Sequence, residues 1–189
     1  MTDRPRIEPV PEQDWDDDTR ALMGAMGPLN IFTTMANHPK LFKRWMVFGG
    51  HVLVKTTLPP RERELVILRV GWRCDSDYEF GQHTLIGRRD GLDDDEIRRL
   101  AQPSLDGWSD ADRLLVQATD ELVADRRIGE ATWAGLAERW STQQLMDLVF
   151  TVGQYVMTCM ALRTFGVQRE PGVPGFPERK LEGEQEGER

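Results

Sequence analysis

The longest helical pattern in the chain runs from Ser141 to about Phe165, and it limits the fold more than any other stretch. Leu145, Leu148, Val149, Val152, Val156 and Met160 recur there at spacings of three and four, which puts them on one wide apolar face. Such a face is stable only under a cover of other elements, so the rest of the chain must supply several partners for it. Ser141 and Gln144 have the spacing of a capping box at its start, and Gly166 closes it.

The partners also read as helices. One begins near Asp14 and ends before Gly27, with an acidic start at Asp16, Asp17 and Asp18 that suits the positive end of a helix dipole. Another spans Pro39 to Lys55, where Leu41, Trp45, Phe48 and Val52 share a face. Pro60 opens a third that runs to about Trp72, and Ser76 to Arg89 reads as a fourth. Asp93 or Asp94 caps a short helix with Ile97 and Leu100. Ser109 caps one that continues to Ala124, and Ala131 to Trp140 forms a further short helix. Few segments alternate with period two, so strands are not expected. Residues 1–14 read as an extended arm, 15–168 as a single all-α domain, and 169–189 as a flexible tail, mobile or docked on a neighbouring subunit. A faint internal echo, Glu64-Leu65-Val66-Ile67 against Asp147-Leu148-Val149-Phe150, suggests two related helical halves.

Composition narrows the function classes. The net charge of −8 suits a phosphate backbone poorly, and no basic stripe with interleaved aromatics appears, so nucleic-acid binding is not expected. No uninterrupted apolar run approaches the ~20 residues of a membrane span. The N-terminus has no apolar signal region, so the expected setting is cytoplasmic, without membrane attachment. Cys74 and Cys159 lie far apart and form no CxxC pair. A disulfide framework is not expected, and Cys74 reads as a lone packing thiol despite its neighbour Arg73.

The densest polar group lies between Glu64 and His83. On one helix, Ser76, Glu79 and His83 fall at i, i+3 and i+7 and share a face. A carboxylate one turn before an imidazole can hold its ring and raise its pKa. If the preceding helix packs as a hairpin, Glu64 joins them, and two carboxylates around one imidazole can move protons near neutral pH. The same residues also admit structural readings: His83 as a hydrogen-bonded seam residue, Glu64 as an exposed carboxylate beside Arg61 or Arg63, Ser76 as a cap, and Tyr78 as core or interface. His38 and His51 together with Glu79 and His83 raise a metal reading, but no ligand spacing is distinctive and no metal is expected.

Residues 58–92, LPPRERELVILRVGWRCDSDYEFGQHTLIGRRDGL, resemble the signature segment of carboxymuconolactone decarboxylase-like proteins, and NIFTTMANHPKLFKRW upstream resembles that family's lead-in. The resemblance implies an all-α alkyl hydroperoxidase D-like bundle of about seven or eight helices. It also implies a homo-oligomer, trimer or hexamer, with sites near subunit contacts where Trp45, Trp72, Trp133 and the long helix would be buried. Glu64 and His83 match the family's Glu and His. The two redox cysteines of the alkyl hydroperoxidase branch fall on Ser76 and Glu79, with Tyr78 between them. Thiol peroxidase chemistry needs an attacking and a resolving thiol, which Ser76 and Glu79 cannot supply. The expectation is therefore a cofactor-independent lyase or isomerase acting on a small carboxylate or lactone. His83 would be the acid/base, Glu79 its orienting partner and Glu64 a second proton-handling group, with Ser76 and Tyr78 binding substrate. The alternatives are a thiol peroxidase working through Cys74 and a non-catalytic oligomeric binding protein.

Overall fold

The computed structural model of the protein describes residues 4–177. At its centre is α4 (Pro60–Arg73), whose Leu65, Val66, Ile67, Leu68 and Val70 are wholly buried. A helix apolar on nearly every side must be covered on every side. Its covers are α5 (Asp77–Arg89), α6 (Asp94–Leu100), α7 (Asp110–Asp125) and α9 (Thr142–Phe165). A second, smaller core gathers α1 (Asp17–Met26), α2 (Asn30–Met35) and α3 (Pro39–Gly50), where Phe32, Phe42 and Trp45 pack ring against ring. The short α8 (Glu130–Ala137) lies against α7 and α9. No strand occurs among the described residues, and the architecture is the expected all-α, alkyl hydroperoxidase D-like bundle.

Local chemistry sets the boundaries. Asp16 accepts from Thr19 N–H at 2.8 Å and starts α1. Asp93 with Glu96, and Ser141 with Gln144, form reciprocal capping boxes. Gly166, at φ +70°, ends α9 in the left-handed conformation that glycine adopts at little cost. The expected helix over 39–55 is continuous, but from His51 to Lys55 it widens into a π-helical turn. Asp147 on α9 then anchors the next bend by accepting from the backbone and hydroxyl of Thr57, at 2.6 and 2.7 Å.

Three expectations need correction. The helix α2 has no counterpart in the periodicity, because its six residues are too few to show one. The apolar face of α9 is only partly covered. Leu145, Leu148, Val152, Tyr155, Cys159 and Leu162 are buried, whereas Met146, Phe150, Met157 and Met160 are exposed. This helix is long and apolar enough to cross a bilayer, yet half of its apolar window is buried within the fold, as in a core helix. Last, residues 169–177 of the expected flexible tail are packed on α5 of the same chain. Glu170 accepts from Asn30 N–H at 2.6 Å and from the Tyr78 hydroxyl at 2.8 Å, and the Phe176 ring lies 5.2 Å from that of Phe80. Gly81 makes this possible, since a Cβ there would lie 2.0 Å from the Pro174 carbonyl oxygen. Residues 178–189 of that tail, and 1–3 of the N-terminal arm, lie outside the described residues. The described part of the arm is pinned by Arg6 and Ile7 N–H donors to the Phe165 carbonyl.

Arg69 is the largest wholly buried side chain, and it sits in the middle of α4. Its guanidinium makes a fork to Asp120 at 2.7 and 2.6 Å, donates to the carbonyls of Leu100 and Gln102, and stacks on Trp72. This fork ties α4 to α7. Asp120→Ala leaves a buried cation short of its counter-charge and should cost about 3 kcal/mol in urea unfolding. An unchanged midpoint would show that the two carbonyls suffice.

Candidate active site

The site exists because α4 and α5 approach closely enough to share charges. Gly71 permits the contact: a Cβ there would meet the Phe80 backbone nitrogen at 3.1 Å. At the other end of the hairpin, Gly87 lies against Leu92 and Leu68, and a Cβ on it would be 3.6 Å from the Glu64 Cβ. Between these two positions, Glu64 of α4 faces His83 of α5. The His83 Nδ1 and a Glu64 carboxylate oxygen are 2.6 Å apart, and the His83 Nε2 lies 3.1 Å from Glu79 Oε1. Behind Glu64, Arg63 Nε donates at 2.8 Å, and the same guanidinium reaches Asp90 at 2.6 Å. The five side chains form one file, Asp90–Arg63–Glu64–His83–Glu79, with alternating sign.

The electrostatics follow from this order. Burial opposes a charge on His83, but Glu64 and then Glu79 overcome it and raise the imidazole to about 10. Burial would likewise raise Glu64, yet His83 and Arg63 outweigh it and hold the carboxyl below its ordinary value. At neutral pH His83 is therefore an imidazolium that donates from both nitrogens.

A cavity of about 110 Å³ opens against this file, lined among others by Trp45, Leu53, Glu79, His83, Gln154 and Tyr155. Tyr155 stands edge-on to the imidazole with ring centroids 5.0 Å apart. Gln154 is buried, and its Oε1 is itself shielded from solvent and accepts no hydrogen bond among the described residues. A wider apolar groove of about 540 Å³ adjoins it and shares Ile31, Trp45 and Thr158.

The fold thus brings Glu64, Glu79 and His83 together, but Glu64 does not line the cavity. It is wholly buried rather than exposed, with Arg63 as its partner, while Arg61 turns away to Asp112 at 2.9 Å and to Glu96. Tyr78 lines the cavity, but its hydroxyl is occupied by Ile31 N–H at 3.2 Å and by Glu170. Ser76 begins α5 without capping it; its hydroxyl is buried, accepts no backbone donor and does not line the cavity. His38 caps α3 through Leu41 N–H, and His51 lies 3.8 Å from Asp147, so neither approaches His83. Among the described residues no group of three or more His, Cys, Asp and Glu side chains could hold a metal. Cys74 is not isolated: it lines one groove together with Cys159. Asp90, Gln154 and Tyr155 escaped the sequence reading. The i, i+3 and i+4 spacing of Thr151, Gln154 and Tyr155 on α9 is a polar interruption of an apolar face and is the one available signal.

Residues 39–121 match the model of the carboxymuconolactone decarboxylase family, a segment that runs from α3 through most of α7. Over that segment, somewhat less than half of its length, the chain is similar to the carboxymuconolactone decarboxylase family. The fold is also that of solved relatives. A peroxidase-related protein from Ralstonia eutropha JMP134 with an alkylhydroperoxidase AhpD core superposes with a TM-score of 0.77 at 19% identity, covering 87% of this chain and 92% of the other. A peroxidase-related protein from Silicibacter sp. TM1040 gives 0.74 at 15% identity, covering 93% and 95%. The debrominase Bmp8 in complex with 2,3,4-tribromopyrrole gives 0.73 at 13% identity, covering 90% and 95%. No curated protein matches the sequence significantly.

The raised His83 and lowered Glu64 fix a pH window for stability. His83 takes up its proton more readily when folded than in the unfolded chain, where it titrates near ~6.5, so its contribution is complete below that pH and is lost as pH rises through about 10. Glu64 contributes above its unfolded value, near ~4.3, and loses that contribution as pH falls. The stability gap between the native chain and His83→Gln should therefore be wide at pH 6.5 and narrow at pH 10.5 in urea titrations. Equal gaps at both pH values would mean that His83 is neutral in the fold.

Proposed function

We propose that the protein is a cofactor-independent proton-transfer enzyme, a lyase or isomerase acting on a small carbonyl compound such as a lactone or a carboxylate. One observation carries the reading: the file of alternating charges ends at Glu79 and His83 in the wall of a small, mainly apolar cavity. Such a cavity, the space of about three to four waters at ~30 Å³ each, takes the reacting part of a small molecule and excludes bulk solvent.

In this reading Glu64, not Glu79, orients the ring, because it makes the shorter bond and is buried away from the cavity. Glu79 is the group that takes the substrate proton. Its 3.1 Å contact to His83 leaves a carboxylate oxygen free to accept. The imidazolium then faces the developing enolate or carbanion as a charged donor and returns a proton to it. Gln154 and Tyr155 bound the pocket. Tyr78 shapes the wall, and Ser76 sits at the helix start behind the site. The structural neighbour bound to a small halogenated ring adds a precedent for a compact cyclic ligand on this fold.

The test is deuterium uptake from solvent, or turnover, across a panel of small lactones, keto acids and carboxylates. With a responsive substrate, Glu79→Gln should lower kcat by about 100-fold or more. His83→Ala retaining full turnover would end the proposal.

Self-association belongs to the same reading. Met146 and Phe150 of α9 and Trp133 of α8 are 57%, 54% and 44% exposed and form an apolar face that water covers poorly. We take this face to be where copies of the chain meet, as trimer or hexamer. Phe150→Asp should lower the molar mass measured by light scattering, and an unchanged mass would place the contact elsewhere.

A further inference from the structure

The apolar groove beside the cavity has no part in the proton transfer proposed above, yet it borders the place where that transfer occurs. Its volume is about 540 Å³, and it runs between α3 and the last two turns of α9, from Thr158 to Phe165. At 1.5 Å per residue that is about 10 Å of helix. Ile31, Trp45 and Thr158 stand both in its wall and in that of the cavity, so the two spaces meet there. Trp45 is held at this junction by the rings of Phe32 and Phe42, with centroids 6.3 and 6.4 Å away. The N-terminal arm builds the far end. Ile7, which also lines the groove, donates its N–H to the Phe165 carbonyl at 3.1 Å, and Val10 N–H donates to the Thr33 carbonyl at 2.9 Å.

Little in this groove can answer a polar ligand. The Thr158 hydroxyl is spent on the Gln154 carbonyl at 3.0 Å, the Asn37 amide on the carbonyls of Glu8 and Thr34, and His38 Nδ1 on Leu41 N–H. Arg44 lines the groove too, but as an exposed side chain whose charged head stays in water. The rest is apolar, and part of it is left to solvent: Leu41 and Met157 are 49% and 47% exposed. A peptide laid there would leave its backbone groups unmet. An apolar body of small-molecule size would instead withdraw these side chains from water, and the volume lies in the range of sites that take such ligands. The adjoining cavity, at about 110 Å³, holds Glu79 and His83 and admits only the reacting end.

We propose that the groove takes an apolar substituent of the substrate, which makes the substrate class lactones or related carbonyl compounds that carry an alkyl or aryl group. The carbonyl end lies in the cavity beside Glu79 and His83, and the substituent passes Trp45 and lies along α9 toward Phe165 and Ile7. The inference rests on the proton-transfer reading for the end that reacts, and on the groove alone for the end that binds. An uncharged head suits the cavity, because Glu79 already places a carboxylate beside the imidazolium there. The cavity then selects the reacting group and the groove selects the rest. Contacts made by the remote part supply the binding energy that holds the carbonyl end in position.

The full chain is titrated by calorimetry with γ-lactones whose side chain lengthens from methyl through butyl and hexyl to octyl, and solvent deuterium uptake next to the carbonyl is followed for each. Every methylene that enters the groove should tighten binding about threefold until the groove is full. The heat-capacity change of binding should grow more negative along the series. Ala161→Phe, which fills the groove, and Leu41→Asp, at a half-exposed position, should each remove the gain of the longer members. Equal affinity along the series, no binding at all, or an unaltered gain in both variants would overturn the proposal. So would a flat series together with a molar mass by light scattering that falls in Leu41→Asp, since a second copy of the chain then covers the groove. Deuterium uptake separates this proposal from the reading it rests on. Uptake from the methyl lactone with no gain in affinity with length overturns the groove and leaves proton transfer standing. A gain with length that both variants lose, with no uptake from any member, supports the groove and ends proton transfer on this class.

Discussion

The pairing of Glu64 with His83 is the interaction on which the rest of the site depends. A carboxylate with no exposed surface, buried among the most apolar residues of the central helix, is costly unless a counter-charge and hydrogen bonds meet it. Arg63 and His83 meet it from opposite sides. The pair also governs backbone placement, because Glu64 and His83 come within 2.6 Å only where α4 and α5 nearly touch. The glycines at 71 and 87 are the sequence's concession to that approach. Stability and function are bound together here. Removing either partner leaves an unmatched charge in the core and loosens the group that would act on a substrate.

Much of this was legible in the sequence because helices and their termini are local. The capping boxes at Asp93 and Ser141, the proline at the start of α4 and the glycine after α9 declare themselves within a few residues. Glu79 and His83 share a face by spacing alone, and the hairpin that brings in Glu64 follows from two helices joined by a short bend. What failed to show depends on distance along the chain. Glu170 reaches Tyr78 and Asn30 across more than ninety residues, and nothing in a proline- and glycine-rich stretch marks one glutamate as an anchor. Asp90 completes the charge file from beyond the helix that carries His83, and Gln154 enters from α9. The groove that Cys74 and Cys159 line together is likewise long-range. Periodicity also overstated the burial of α9, since it reports which residues share a face and not how many neighbours arrive to cover it.

The docking of residues 169–177 changes what α5 is. Its Tyr78 and Gln82, which would otherwise border the cavity with free polar ends, are both held by Glu170. Arg169 adds an ion pair to Asp77 at 3.1 Å. The segment therefore takes polar capacity away from the cavity and leaves Glu79 and His83 as its charged groups. A chain that uses its own tail to fill these positions narrows its site without adding a residue to it.

The position of Glu79 then acquires a physical meaning. In the redox branch that the signature segment resembles, a thiol stands where Glu79 stands, beside the same imidazole. A carboxylate there cannot exchange electrons, but it closes the file Asp90–Arg63–Glu64–His83–Glu79 with a third negative group against two positive ones. Such a file keeps both ring nitrogens of His83 protonated, each N–H facing its own carboxylate, at 2.6 and 3.1 Å. The inner acceptor is sealed in the core and the outer one faces the cavity, so any gain or loss of a proton must occur at the outer end. In the function proposed above, the carboxylate at this position handles protons where a thiol would handle electrons.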